Sequence, residues 1–110
     1  MQDTKEMMKE TTESIVEELT RIAKKGNLEE LYDWMDENML DVTYICGRQK
    51  DLQGAEILVE FGGPNTYVNT RESVVESYWG GDVVKTYLPD YVSDFIDSEY
   101  TAEMFQADFQ

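Results

Sequence analysis

Carboxylates are the side chains with which this chain could do chemistry. It has 24 Asp and Glu against 9 Lys and Arg, a formal net charge of -15 over 110 residues, with no histidine and one cysteine. Without histidine there is no Ser-His-Asp or Cys-His nucleophile system and no histidine metal site. The lone Cys46 cannot form a cysteine zinc site or an internal disulfide. We therefore predict no catalytic residue, no metal and no cofactor, and a protein that is not an enzyme.

Two groups of carboxylates have a spacing that could support a cation site. Glu56 and Glu60 alternate with apolar residues and should share one face of a strand. Asp94 should share one face of a helix with either Asp97 or Asp90. Oxygen ligands of this kind suit Mg²⁺ or Ca²⁺. No EF-hand pattern accompanies them, and exposed acids are the norm, so we expect solvated faces.

The acid excess grows along the chain. Residues 56–110 hold 11 acids against 2 bases, and no base follows Lys85. The net charge exceeds the magnitude of about 2–8 that keeps a small domain soluble. A field of this sign repels nucleic acid and attracts basic proteins. We expect no direct binding of DNA or RNA. The predicted partner-binding acids are Glu72, Glu76, Asp82, Asp90, Asp94, Asp97, Glu99 and Glu103, and the predicted aromatic anchors are Tyr91 and Tyr100.

Two helices should precede the strands. Ile15, Leu19 and Ile22 recur at helical spacing in a first amphipathic helix that Gly26 ends. Asn27 with Glu30 has the pattern of an N-cap, which starts a second helix that ends near Asn38.

Five strands should follow, joined by turns. Val42, Tyr44 and Cys46 alternate in the first strand, which predicts a buried thiol, and Ile57, Val59 and Phe61 alternate on the core face of the second. The remaining strands are expected at residues 66–70, 74–79 and 83–88, with a tight hairpin at Gly80-Gly81.

One further helix should begin at Pro89. Residues 101–110 either extend it or form a separate turn. The order of elements predicts one α+β domain over residues 1–110, with two N-terminal helices, an antiparallel five-strand meander and a C-terminal helix in two layers.

The N-terminus is charged where a signal peptide would be apolar. No apolar run approaches the roughly 20 residues of a membrane span. An acidic surface is also repelled by anionic lipid. We therefore expect a cytoplasmic protein that does not bind membranes.

Residues 62–70, Gly-Gly-Pro-Asn-Thr-Tyr-Val-Asn-Thr, followed by Tyr-Trp-Gly at 78–80, resemble small proteins carried by phages and conjugative elements of gut Firmicutes. The helix around residues 31–34 adds to this pattern, which covers residues 28–100. In size and charge the chain also resembles anti-CRISPR proteins, small inhibitors that often present acidic surfaces to nucleic-acid-binding grooves. These resemblances imply an inhibitor and carry over no motif or catalytic residue.

The working hypothesis is an acidic inhibitor that occupies the basic groove of a nucleic-acid-binding protein, such as a CRISPR effector, by imitating DNA. Such a groove holds phosphates, whose charge carboxylates reproduce. Two alternatives stay open. One is a non-catalytic regulatory or structural domain whose charge only solubilises it, and the other is a small carboxylate-based enzyme or small-molecule binder with a pocket between helices and sheet.

Overall fold

The part of the chain described by the computed structural model, residues 3–109, contains helices and one antiparallel sheet in the predicted order. This arrangement confirms the α+β class and the five-strand meander. The elements are α1 (Thr4–Lys25), α2 (Leu28–Asn38), β1 (Asp41–Cys46), β2 (Leu52–Glu60), β3 (Asn65–Asn69), β4 (Val74–Trp79), β5 (Asp82–Tyr87), α3 (Asp90–Ile96), a π-helical turn (Asp97–Thr101) and α4 (Ala102–Phe109).

Local capping fixes the ends of the first two helices. Gly26 adopts the left-handed conformation, with φ of 62°, and so ends α1. The Asn27 side chain accepts a hydrogen bond from the backbone N–H of Glu30 at 3.1 Å, which starts α2. Both predicted signals are confirmed.

The sheet has the order β1-β2-β3-β4-β5, and each strand pairs antiparallel with its neighbour in sequence. The cross-strand pairs Ile57–Val68 and Val68–Val75 place these three residues in one row on the inner face, and all three are fully buried. The pairs Leu58–Tyr67, Tyr67–Glu76 and Glu76–Lys85 form a row on the other face. The helices therefore cover the inner face, and the outer face is the open side of a two-layer fold.

The core joins both helical segments to the inner face of the sheet. Leu19 and Ile22 are buried as predicted, while Ile15 is partly buried and packs against the same core. The core residues are Leu19, Ile22, Leu31, Trp34, Met35, Ala55, Ile57, Val68, Val75, Leu88, Val92, Ile96 and Tyr100.

A bulge in β2 overturns two expectations. The register shifts between Leu58 and Glu60, so Glu60 pairs with Thr66 and its carboxylate accepts a hydrogen bond from the Thr66 hydroxyl at 2.6 Å. One extra residue in a strand moves the following side chains to the opposite face. Glu56 and Glu60 therefore do not share a face. Phe61, predicted to be core, is 76% exposed.

Cys46 is also exposed, which contradicts the expected buried thiol. The β1–β2 register shifts between Ile45 and Cys46. The extra residue of this shift lies in β2, so it does not interrupt the alternation in β1. Cys46 is the last residue of β1, which is an edge strand, and it therefore lies at the margin of the packed face.

The C-terminal segment extends the third helix. α3 continues through the π-helical turn directly into α4. Ring contacts hold α4 to the sheet, because Phe105 and Phe109 both meet Tyr44 edge to face, with ring centroids 5.3 and 5.8 Å apart. The alternative of a separate turn over residues 101–110 is wrong for the residues described.

Candidate functional site

The predicted partner-binding acids do not form one patch. Asp82 begins β5, whereas Asp90 follows the end of that strand, so about 17 Å of strand separate the two ends. Glu72 lies in the turn between β3 and β4, close to the end of β5, where the N–H of Leu88 donates to the carbonyl of Ser73 at 2.9 Å. Glu72 is exposed, but its carboxylate is 2.7 Å from the Arg71 guanidinium. Asp82 and Glu72 are therefore not part of a single base-free surface.

Glu76 does not belong to an exposed patch either. It points to the outer face of the sheet, yet it is only 9% exposed. Its Oε2 accepts a hydrogen bond from the Tyr78 hydroxyl at 2.6 Å. The expectation that all these acids are freely exposed is wrong for Glu76, because neighbouring outer-face side chains cover it.

Asp97 is a structural group. Its Oδ1 accepts a hydrogen bond from the Thr70 hydroxyl at 2.7 Å, and the side chain is partly buried. Burial raises the pKa of Asp97 above its ordinary value, and the hydrogen bond from Thr70 acts in the opposite direction. Asp97 therefore links the C-terminal segment to the sheet.

The two predicted aromatic anchors differ in their exposure to solvent. Tyr91 is 46% exposed, as an anchor must be. Tyr100 is 3% exposed and belongs to the core, where its hydroxyl contacts the Met39 sulfur at 3.5 Å. The prediction that Tyr100 contacts a partner is wrong, because the π-helical turn places its ring against α2.

Of the remaining predicted acids, Asp90, Asp94 and Glu103 are exposed, and Glu99 is partly exposed. Asp94 and Asp97 lie beside the start of β2. Glu99 and Glu103 lie at the junction with α2, where the Tyr32 hydroxyl donates to the carbonyl of Glu99 at 3.1 Å.

This junction brings together two base-free stretches of the chain. Residues 26–47 contain six acids and no base, and residues 86–110 contain another six acids and no base. The stretches meet through the Tyr32 and Tyr100 rings, whose centroids are 5.1 Å apart at 66°. Half of the acids in the chain therefore come from two segments that pack against each other.

The charges of nearby acids affect the pKa values of both tyrosines at this junction. Burial raises the pKa of Tyr32, and the charges of Glu103 and Glu99 raise it further. Burial likewise raises the pKa of Tyr100, and Asp36 and Asp108 are among the charges that add to this shift. We call Asp36, Glu99, Glu103 and Asp108 the α2–C-terminal acidic face.

Asp108 is held in place by the sheet. Its Oδ2 accepts a hydrogen bond from the Tyr44 hydroxyl at 2.6 Å. Burial is the larger cause that raises the pKa of Tyr44, and the hydrogen bond to Asp108 is the next, so the hydroxyl remains a donor at neutral pH. The last helix is therefore anchored by a polar contact as well as by its Phe rings.

Sequence reasoning missed the contribution of α2. Asp33, Asp36 and Glu37 are exposed, and residues three or four apart on a helix share a face. The absence of Lys and Arg from residues 26–47 is visible in the sequence and could have indicated this segment. Glu30 is the exception, because its carboxylate is 2.8 Å from the Arg21 guanidinium.

Within residues 3–109, no three acidic or cysteine side chains are placed to hold a metal ion. Among the described helices, none is both long and apolar enough to cross a membrane. No protein-family model matches the chain, and neither a curated protein nor a solved structure is significantly similar to it.

Proposed function

We propose that this protein is a non-catalytic inhibitor that binds the basic, nucleic-acid-binding surface of another protein. The observation that carries the proposal is the packing of two base-free segments against each other. They hold 12 acids between them, four of which form the α2–C-terminal acidic face. A CRISPR effector is the partner class we favour, because its channel holds a nucleic-acid duplex through phosphate contacts. The site of action is then the host cytoplasm, and the source a mobile genetic element.

The face suits this role because one of its carboxylates and the backbone of another of its residues are held in place before binding. Asp108 is bonded to Tyr44, and the segment carrying Glu99 is bonded to Tyr32. A partner that meets charges already held in place loses less conformational entropy on binding. Carboxylates on such a surface reproduce the charge of phosphates without the nucleic acid.

Electrostatic attraction should control how fast the complex forms. Opposite potentials raise association rates at low salt, and screening at high salt reduces them. The exposed ring of Tyr91 is available as an aromatic anchor next to Asp90. Tyrosine is common among the residues that contribute most to protein–protein affinity.

The test is a triple charge reversal, Asp33→Lys, Asp36→Lys and Glu103→Lys. Asp36 and Glu103 belong to the face, and Asp33 is the neighbour of Asp36 on the same side of α2. All three side chains are exposed, so the fold should be retained. Guide-loaded Cas9-type effectors are the first partners to assay, with DNA cleavage and direct binding measured at two salt concentrations. We expect the wild-type protein to inhibit cleavage, and the variant to associate at least about tenfold more slowly at low salt.

The matched control is Glu13→Lys, Glu17→Lys and Asp82→Lys, which lie outside the α2–C-terminal acidic face. Each triple raises the net charge from -15 to -9, since every reversal changes it by two. The control should keep most of the association rate. An equal loss of association rate in both triple variants would show that only total charge matters. An unchanged association rate in both would show that the face is only a solvated surface.

A pull-down from host lysate at low and high salt extends the search beyond CRISPR effectors. Captured proteins should be nucleic-acid-binding proteins, and high salt should release them. Absence of binding to any such protein would favour the alternative in which the charge only solubilises the domain.

A further inference from the structure

The open face of the sheet carries a second polar site, distant from the α2–C-terminal acidic face. A shallow cleft of about 350 Å³ is lined by Glu56, Asn65, Tyr67, Glu76 and Tyr78. These side chains come from the three central strands, which fixes their spacing. No described helix covers this side of the sheet, because α1 and the other helices pack on the inner face.

Glu76 is the centre of the cleft, and among residues 3–109 only one of its two carboxylate oxygens accepts a hydrogen bond. Its residue surface is 91% buried, and Oε2 accepts the Tyr78 hydroxyl. Its Oε1 accepts no hydrogen bond from residues 3–109, and the nearest cation there, the Lys85 ammonium, is 4.0 Å away. A buried carboxylate is costly unless it is hydrogen-bonded and paired. Oε1 is therefore paired only at long range, and it can accept a hydrogen bond from a positively charged donor that comes closer than the Lys85 ammonium.

The tyrosines supply an aromatic surface beside this carboxylate. The rings of Tyr67 and Tyr78 have centroids 6.2 Å apart and an interplanar angle of 73°. A cation over a tyrosine face is attracted by the π system, with greater effect when it is desolvated. The hydrogen bond to Glu76 is the main cause that raises the pKa of Tyr78 to about 12, so this hydroxyl stays protonated at neutral pH.

We propose that this cleft binds the guanidinium group of an arginine side chain from a partner protein. The carboxylates of Glu56 and Glu76 are acceptors, and the Tyr67 ring is a stacking surface. Arginine fits better than lysine because its planar fork donates several hydrogen bonds at once and stacks on aromatic rings. The site is on the opposite side of the sheet from the helices, so it stands whether or not the acidic face binds a partner.

The direct test is an NMR titration of the full chain with N-acetyl-arginine amide, with N-acetyl-lysine amide and N-acetyl-citrulline amide as controls. Citrulline keeps the shape of arginine but has no charge. We expect saturable shifts centred on Asn65, Tyr67 and Tyr78 with the arginine probe, weaker ones with lysine, and none with citrulline.

Substitutions at three positions test whether arginine binds at this cleft. Glu76→Gln keeps an acceptor for Tyr78 but removes the charge, and it should weaken arginine binding roughly tenfold. Lys85→Gln removes the competing cation and should strengthen it. Glu13→Gln makes the same change of charge as Glu76→Gln on exposed α1 and should leave the affinity unchanged.

Three results would overturn the proposal. They are shifts spread over the whole acidic surface, equal binding of the citrulline probe, and unchanged affinity in both Glu76→Gln and Lys85→Gln. The Lys85→Gln variant and the citrulline control keep the test valid even if Glu76→Gln does not fold.

Discussion

Thr70 ties the C-terminal segment to the sheet, and its replacement by Val tests that role. The hydroxyl accepts a hydrogen bond from the backbone N–H of Ala55 at 2.9 Å and donates to Asp97 Oδ1 at 2.7 Å. Thr70 is 3% exposed, so water cannot readily replace the hydroxyl. Val has nearly the same shape, and the substitution therefore removes the two hydrogen bonds without opening a cavity.

The size of the effect follows from these two contacts. Leaving the buried Ala55 N–H without an acceptor costs about 1–3 kcal/mol, and losing a hydrogen bond to a charged group costs about 1.5–3 kcal/mol. Asp97 is partly exposed and Val gains apolar burial, so we expect a net loss near the low end, about 3 kcal/mol. For a domain of this size, that corresponds to a fall in Tm of roughly 10–20 °C.

The assay is urea unfolding followed by tryptophan fluorescence and circular dichroism. Thr43→Val is the matched control, because Thr43 is exposed on β1, and it should change the free energy of unfolding by less than about 0.5 kcal/mol. Asp97→Asn gives the second arm. A neutral acceptor forms a weaker bond, so the cost of Thr70→Val should fall by about 1 kcal/mol in that background.

A Thr70→Val protein as stable as the control would refute this reasoning. So would an identical cost of the substitution in the wild-type and Asp97→Asn backgrounds, since the Thr70–Asp97 bond would then contribute nothing. Either result would return Asp97 to the set of acids available to a partner.

Two further predictions concern the sheet. The hydrogen bond to Glu76 raises the pKa of Tyr78 from an ordinary 10.0 to about 12 in the folded chain. The contribution of Tyr78 to stability is therefore complete below pH 10 and is lost as pH rises through about 12. An ultraviolet titration of tyrosinate should lose this late step in Tyr78→Phe, and an unchanged curve would contradict the Glu76 contact. Gly63→Ala should destabilise the fold by about 1–3 kcal/mol in thermal unfolding, because Gly63 has φ of 143° and a Cβ there would lie 2.9 Å from the Trp79 ring. Gly62→Ala, whose Cβ meets nothing within 4 Å, separates the clash from the backbone strain that the two positions share.

Local signals predicted most elements of this fold. The hairpin at Gly80-Gly81 is an example, because both residues have positive φ, 57° and 93°, which such a turn demands and glycine permits. The Asn27 cap is another. Each of these features depends on residues that are close in sequence, and for that reason the sequence alone was sufficient to predict them.

The prediction of which side chains face the core failed where one extra residue interrupts a regular strand or helix. The bulge before Glu60 reversed the faces of Glu60 and Phe61. Cys46 is exposed for a different reason, since it is the last residue of the edge strand β1. The π-helical turn has the same kind of effect on a helix, since its hydrogen bonds span one residue more than those of an α-helix. Tyr100 lies in that turn and faces the core. Alternation and helical spacing assume an unbroken repeat and cannot reveal such insertions.

The α2–C-terminal acidic face depends on contacts that no local pattern contains. Tyr32 and Glu99 are 67 positions apart, and they meet only because the tyrosine rings pack between α2 and the π-helical turn. This packing places like charges beside one another, and their repulsion opposes folding. Solubility requires charge but does not require that charge to be concentrated. A chain that joins its two base-free segments around the Tyr32–Tyr100 pair therefore accepts a cost in stability that solubility does not explain, and the proposed binding to a basic surface would account for it.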